Sequence, residues 1–303
     1  MYFSVTILGS SSAIPTLNRF TSSQVVNYDN MLFLVDCCEG AQMQLRKYEI
    51  KFNRINHIFI SHLHGDHYLG LMGLLSSYHL QGRKNDLHIY SPPELEEIIE
   101  IQKRVAAAIF SYKLIFHVLT NENEGIIYEN DKLTVSSVIL SHRIPTYGFT
   151  FKEKKKEKKI YKEAIAAYSL SIEDILNIKK GEIFYDKKGN PVPENMLAFP
   201  EEPCKMYAYI SDTAYYESIV KKIKNADLLY HEATFGEDLK KVAAEKFHST
   251  AHEAATIAQK AHAKKLIIGH FSARYTSTDS LLKEARNVFD NTVCAEEGMN
   301  YVV

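Results

Sequence analysis

Short apolar stretches punctuated by turn-formers dominate the first half of this chain, and they read as strands. "YFSVTILG" (2–9) is followed by "SSQVVNYDNMLFLVD" (22–36), where Tyr28-Asp29-Asn30 predicts a hairpin turn. A helix is expected over 40–50, then a strand in "HIFIS" and a helix with an apolar face over 68–80. "LHIYSP", "KLIFHVL" and "KLTVSSVILSH" continue the strands, and 93–110 has the spacing of an amphipathic helix. In the last hundred residues "KMYAYISD", "ADLLYHEATF" and "KKLIIGH" alternate with helical patterns at 214–224 and 250–262. Hairpins early and strand–helix alternation late fit two mixed sheets packed together and covered by helices.

One segment breaks this pattern. Residues 152–163, "KEKKKEKKIYKE", hold seven lysines, and the chain from there to about 200 is polar, with turn signals at Gly181 and "DKKGNP". It reads as an insertion projecting from a single 1–303 domain rather than as a second domain. Composition agrees with a globular chain: 303 residues, 46% hydrophobic, 19 Tyr, 15 Phe and no Trp. The net charge of −1 means that a polyanion has to be met by a local basic patch. Four scattered cysteines build no disulfide framework or CxxC metal site, and a reducing cytoplasm is expected. No apolar run approaches membrane-spanning length, and the N-terminus has no secretory pattern.

The chemistry concentrates in "SHLHGDH" (61–67). His62 and His64 alternate, so an extended backbone puts both on one side, where they can share a metal. Gly65 permits a sharp turn, after which Asp66 and His67 face a neighbouring point that can take a second ion. Imidazole plus carboxylate suits zinc, manganese or iron rather than magnesium or calcium. A lone histidine is usually structural. Four ligand-type side chains at one strand end are not, because packing would demand a buried polar partner for each.

His-x-His-x-Asp-His after an apolar strand resembles the signature of the metallo-β-lactamase fold, a four-layer αββα sandwich of the α/β class, here with a projecting arm at about 152–200. That resemblance implies further ligands at His142, Asp212 and His270, with Asp212 bridging two ions. One site would be His62, His64, His142 and Asp212, the other Asp66, His67, Asp212 and His270. Spacing alone does not choose His142 over His117; the resemblance does. "LGSSSAIPT", "LVDCCEGAQMQL", "HEATF" (231–235) and "HSTAHEAATIAQKAHAKKLIIGHFSARY" (248–275) narrow the resemblance to the ribonuclease Z family, endonucleases that trim the 3′ trailer from precursor tRNA. It implies two Zn²⁺ per chain, with Mn²⁺ or Fe²⁺ as alternatives, and a cytoplasmic homodimer. It also implies Asp66 as general base and His248, held by Glu232, as proton donor to the leaving oxygen. His57, His79, His88, His117, His231, His252 and His262 match no ligand position.

Two departures stand out. Cys38 and Ala41 replace a glycine and a threonine of the family's pattern, and the arm lacks the Gly-Pro motif with which bacterial members grip the tRNA elbow. Lys154, Lys155, Lys156, Lys158 and Lys159 can supply phosphate contacts instead, as can Arg274, since backbone phosphates carry most of the affinity. Two other functions stay open at this point: a phosphodiesterase or arylsulfatase-like hydrolase of smaller substrates, and a non-catalytic RNA- or partner-binding module.

Overall fold

A computed structural model describes residues 2–303, which form two compact units. The larger comprises the chain up to Glu129, Thr134–Lys152 and Lys205–Val303; the smaller comprises Asn130–Leu133 and Glu153–Cys204. Among the described residues no helix is long and apolar enough to cross a membrane.

Two seven-stranded sheets build the larger unit. In the first, Asn300–Val302, Phe3–Gly9, Ser23–Tyr28 and Met31–Val35 run antiparallel, and Ile55–Phe59, Leu87–Ser91 and Leu114–Val118 continue in parallel. The second has the order Thr292–Cys294, Leu266–Gly269, Leu228–Glu232, Met206–Ile210, Tyr147–Glu153, Leu133–Ile139, Ile126–Glu129. Its first four strands are parallel. Large rings fill the space between the sheets: Phe59 packs on Phe149 and Phe151 with centroids 5.4 and 5.6 Å apart, and Phe33 packs on Phe151 at 5.6 Å. Phe and Tyr thus serve where a Trp-free chain needs bulk. The outer face of the first sheet is covered by helices Ala41–Lys47, Leu71–Leu80 and Glu94–Val105. Helices Ala251–Lys260 and Asp279–Arg286 cover that of the second. The result is four layers, αββα.

Local chemistry explains most boundaries. Asp29 and Asn30 take positive φ (49° and 69°) in the first hairpin turn, conformations that these two residue types tolerate. Thr250 and Glu253 form a capping box that starts helix Ala251–Lys260. Three expectations change. The helix expected over 93–110 stops at Val105. The 214–224 segment is not a helix but turns around a 3₁₀ segment, Glu217–Ile219; buried Ile219 and Ile223 need only one turn to reach the core. The 68–80 helix is split, because Gly65–Tyr68 makes its own turn before Leu71–Leu80 begins. Strands Ile126–Glu129, Tyr147–Glu153, Thr292–Cys294 and Asn300–Val302 went unread, the last two being only three residues long.

The smaller unit carries helices Lys162–Tyr168, Ile172–Lys180 and Glu194–Leu197 around a modest core of Ala164, Leu170, Ile178, Val192 and Leu197. Between Glu153 and Cys204 ten lysines face ten acidic residues, so the segment is neutral overall. Lys155 pairs with Glu201 (3.0 Å), Lys156 with Glu202 (3.1 Å), Lys158 with Glu194 (2.6 Å) and Lys179 with Glu157 (2.8 Å).

The break at Gly70 is a steric requirement. Its N–H donates to Cys37 O (3.0 Å), while Cys37 N–H donates to His67 O (2.7 Å), clamping the metal motif onto residues 36–38. A Cβ on Gly70 would lie 1.8 Å from Cys38 O, a backbone atom that cannot swing aside. Gly70→Ala is expected to cost about 3 kcal/mol and to lower the melting temperature by several degrees. An unchanged melting curve would show that the clamp is not under this constraint.

Candidate metal centre

Parallel strands end together, and their carboxyl ends are where loops can converge on a ligand. Strand Ile55–Phe59 leads into Ser61, His62 and His64; the turn Gly65–Tyr68 carries Asp66 and His67. Strands Leu133–Ile139, Met206–Ile210 and Leu266–Gly269 lead to His142, Asp212 and His270. Two ligand-type sets form: His62, His64, His142 and Asp212, and beside them Asp66, His67 and His270. Asp212 faces both. Its Oδ2 lies 3.6 Å from His62 Nε2 and 3.9 Å from His142 Nε2, and its Oδ1 lies 3.4 Å from His67 Nε2 and 3.2 Å from His270 Nε2. A third set, Asp212, His248 and His270, shares these atoms, but His248 Nδ1 is committed to Glu232.

The donors fit cations. His142 Nδ1 donates to Phe247 O (2.9 Å), so its Nε2 turns a lone pair toward His64 Nδ1 at 3.2 Å, and His62 Nε2 approaches the same atom at 3.0 Å. His67 Nδ1 donates to Asp36 Oδ2 (2.7 Å), leaving Nε2 buried without a hydrogen bond, as is Asp212 Oδ1. Such orphans are rare in proteins. Burial holds the pKa of His62, His64 and His142 below the ordinary value, which keeps their rings neutral and able to ligate. His67 is the exception: burial would lower it too, but the charges of Asp66, Asp212 and Asp36 raise its pKa, and one such ring leaves the carboxylates only partly compensated in a nearly dry site. Bound cations remove that cost.

Asp36, which sequence reading assigned no role, supports the centre from below. It is fully buried and takes φ 55°. Its Oδ1 accepts the Ser61 N–H (2.7 Å), and its Oδ2 accepts His67 Nδ1–H, Ser61 Oγ (2.9 Å) and Tyr209 OH (2.6 Å). The available signal was an aspartate closing an otherwise apolar strand. Thr234 is the second unassigned support. Its Oγ1 donates to Glu232 Oε2 (2.8 Å) and accepts His270 Nδ1–H (2.9 Å), which aims His270 Nε2 at the centre.

A hydrogen-bonded carboxylate–imidazole pair borders the sets. Glu232 is fully buried and accepts the N–H groups of Thr213 and Thr234 (both 3.0 Å) and His248 Nδ1–H (2.8 Å). Burial alone would lower the His248 pKa, but the charge and hydrogen bond of Glu232, with Asp212 and Asp66 behind, raise it to about 9. Burial would likewise raise Asp66, yet His67 and hydrogen bonds from His270 and His67 hold it far below the ordinary value. Ala13, at φ 61°, donates its N–H to Asp66 Oδ2 (2.8 Å). A cavity of about 340 Å³ opens here, lined by Ala13, His64, Asp66, Asp212, His248 and the exposed Arg143. Arg274 stacks over Phe235 (5.1 Å) and donates to Ser272 Oγ (3.1 Å). Lys154, Lys155, Lys156, Lys158 and Lys159 lie in the smaller unit.

Layering and site together define a metal-dependent hydrolase architecture, and known proteins share it. The metallo-beta-lactamase fold protein YhfI from Bacillus subtilis aligns with a TM-score of 0.70 and 20% identity, covering 99% of both chains. The short form of human tRNase Z aligns with a TM-score of 0.72 and 28% identity, covering 98% of both. In sequence, Ribonuclease Z of Bacteroides fragilis is 46% identical over 297 residues, 98% of each chain. The family model described as Anti-Pycsar protein Apyc1 matches residues 3–166, ending before Asp212, Glu232, His248 and His270. The chain thus belongs to that model's family over its first half and, over nearly its whole length, to the ribonuclease Z family. Membership implies a divalent metal, and the clusters above are able to bind one.

Asp36→Asn keeps the shape but loses a charged acceptor for His67 Nδ1–H. Metal affinity is expected to fall roughly 10–100-fold, read by competition with a chromogenic chelator. Unchanged affinity would remove Asp36 from the support of the centre.

Proposed function

We propose that this chain cuts precursor tRNA endonucleolytically to remove the 3′ trailer, leaving a 3′-hydroxyl on the tRNA and a 5′-phosphate on the trailer. The observation that carries this reading is the shared position of Asp212 between two ligand-type sets with the Glu232–His248 pair at their edge. His62, His64, His142 and Asp212 would hold one ion, and Asp66, His67, Asp212 and His270 the other. Zinc suits the imidazole-rich set, with manganese or iron as alternatives. When bound, the pair supplies Lewis acidity at the scissile phosphate and lowers the pKa of water.

The chain's own groups then divide the proton transfers. Asp66, held ionised, accepts the proton of the attacking water, and the Ala13 N–H fixes its orientation. His248 gives a proton from Nε2 to the departing 3′ oxygen while Nδ1–H stays on Glu232, so the ring is neutral and still anchored afterwards. Cations bound there would offset the pull of Asp66 and Asp212 on His248 and ease the release of its proton. Glu232 alone then keeps the ring oriented.

The working form is a cytoplasmic homodimer of one metallo-β-lactamase-fold domain with an arm at about 152–200, as family resemblance implies. Lys154, Lys155, Lys156, Lys158 and Lys159 contact tRNA phosphates from the arm, and Arg274 does so near the centre. For Lys155, Lys156 and Lys158 a phosphate must displace Glu201, Glu202 or Glu194.

Cleavage of precursor tRNA is compared with hydrolysis of bis-p-nitrophenyl phosphate, with and without chelator. A single chelator-sensitive cut at the trailer junction is expected; dye release without RNA cleavage would point to a smaller substrate, and neither activity to a binding module. His248→Ala should slow cleavage by roughly 10²–10⁴-fold with metal content unchanged. Parallel loss of metal and activity would make His248 a ligand instead.

A further inference from the structure

A precursor tRNA carries dozens of phosphates, and the chain that must hold it has a net charge of −1. The position of uncompensated positive charge therefore matters. It is not concentrated in the segment Glu153–Cys204, where acids equal lysines. Within the larger unit, however, Lys152, Lys221, Lys222 and Lys224 line one groove of about 420 Å³. Lys222 pairs with Glu124. Lys152, Lys221 and Lys224 have no carboxylate partner among the described residues, and all three are exposed. Thr150, only 7% exposed, lines the groove with them. Ser136 lines it too. Three ammonium groups without carboxylate partners, gathered around one groove, suit an anionic ligand.

We infer that this groove binds the sugar–phosphate backbone of the precursor tRNA, an inference that rests on the function proposed above. Lysines are point charges on flexible stems, without the planar fork that fixes a single anion, and they line an open rim. That arrangement follows a chain of phosphates without reading bases. The groove is also remote from the chemistry. Met206 lines it at the start of the strand whose far end leads to Asp212, six residues on at 3.3 Å each, or ~20 Å. RNA held there is positioned by the groove but not cut by it, so the groove contributes to binding and leaves the bond-breaking step alone.

The holoenzyme is titrated with fluorescently labelled mature tRNA, which binds without being cut, across a series of KCl concentrations. Lys221→Ala/Lys224→Ala is expected to bind about tenfold more weakly, with a log–log salt slope flatter by about 1.4–1.8, the loss of two phosphate contacts. Lys221→Arg/Lys224→Arg should keep both affinity and slope. The rate at saturating precursor tRNA and the hydrolysis of bis-p-nitrophenyl phosphate should not change in either variant. If the alanine variant binds and cuts RNA as the parent does, the groove is not an RNA contact and only this inference falls. Saturation of the groove by millimolar inorganic phosphate, with tRNA affinity unmoved by the alanines, would make it a small-anion site and also overturn it. A parent protein that neither binds nor cuts tRNA would overturn the proposed function together with this inference.

Discussion

Asp212 is a fully ionised carboxylate with almost no access to water, faced by ring nitrogens from His62, His67, His142 and His270. An ion in such a place is tolerated only if opposite charge and hydrogen bonds replace its hydration. The neutral rings of His62 and His142 bring lone pairs, not charge, so a cation between the donors would complete the arrangement. Everything around the centre serves that requirement. Asp36 and the carbonyl of Phe247 set tautomers from outside, so that lone pairs point inward. Positive φ at Asp36 and His270 stores backbone strain at these two positions, which the surrounding sheet has to over-determine.

The aromatic layer between the sheets is what makes that over-determination possible. Phe33, Phe59, Phe149 and Phe151 interlock from opposite sheets, so the strand ends above them cannot drift apart. Tyr209 joins the two roles, since its ring stacks on Tyr230 (5.1 Å) and its hydroxyl reaches Asp36. Apolar packing and polar orientation are thus carried by the same side chain. Thr234 links the two chemical halves in a comparable way, because one hydroxyl touches both the Glu232 carboxylate and His270. The Glu232–His248 pair and His270 are therefore not independent.

Legibility of these features in the sequence followed contiguity. "SHLHGDH" could be read from seven residues because strand alternation and a glycine turn are local physics. Long alternating strands such as Phe3–Gly9 and the helix expected over 250–262 were legible for the same reason. His142, Asp212 and His270 meet only through strand order in the second sheet, and resemblance rather than spacing singled them out. Asp36 escaped because its partners Ser61, His67 and Tyr209 lie 25, 31 and 173 residues away. The helix expected at 214–224 failed because burial of Ile219 and Ile223 outweighed local propensity. Lysine counts misled in a different way: the run at 152–162 looks basic until Glu194, Glu201 and Glu202, distant in sequence, are placed beside it.

That last point bears on how a nearly neutral protein handles a polyanion. Exposed ion pairs contribute little stability, so Lys155 and Glu201 can exchange partners at small cost. A segment of balanced charge then presents phosphates with lysines already neutralised, and each new contact releases a carboxylate that the RNA repels. Uncompensated lysines such as Lys152, on a strand, and Lys221 and Lys224, in the turns after the 3₁₀ segment, suffer no such exchange, and their attraction acts before contact is made. Charge placement, not charge count, separates the two. The centre itself reverses the sign again, since its carboxylates admit a phosphate only when cations hold them. Binding along the surface and reaction at the strand ends can thus be set by different residues, and substitutions in one need not disturb the other.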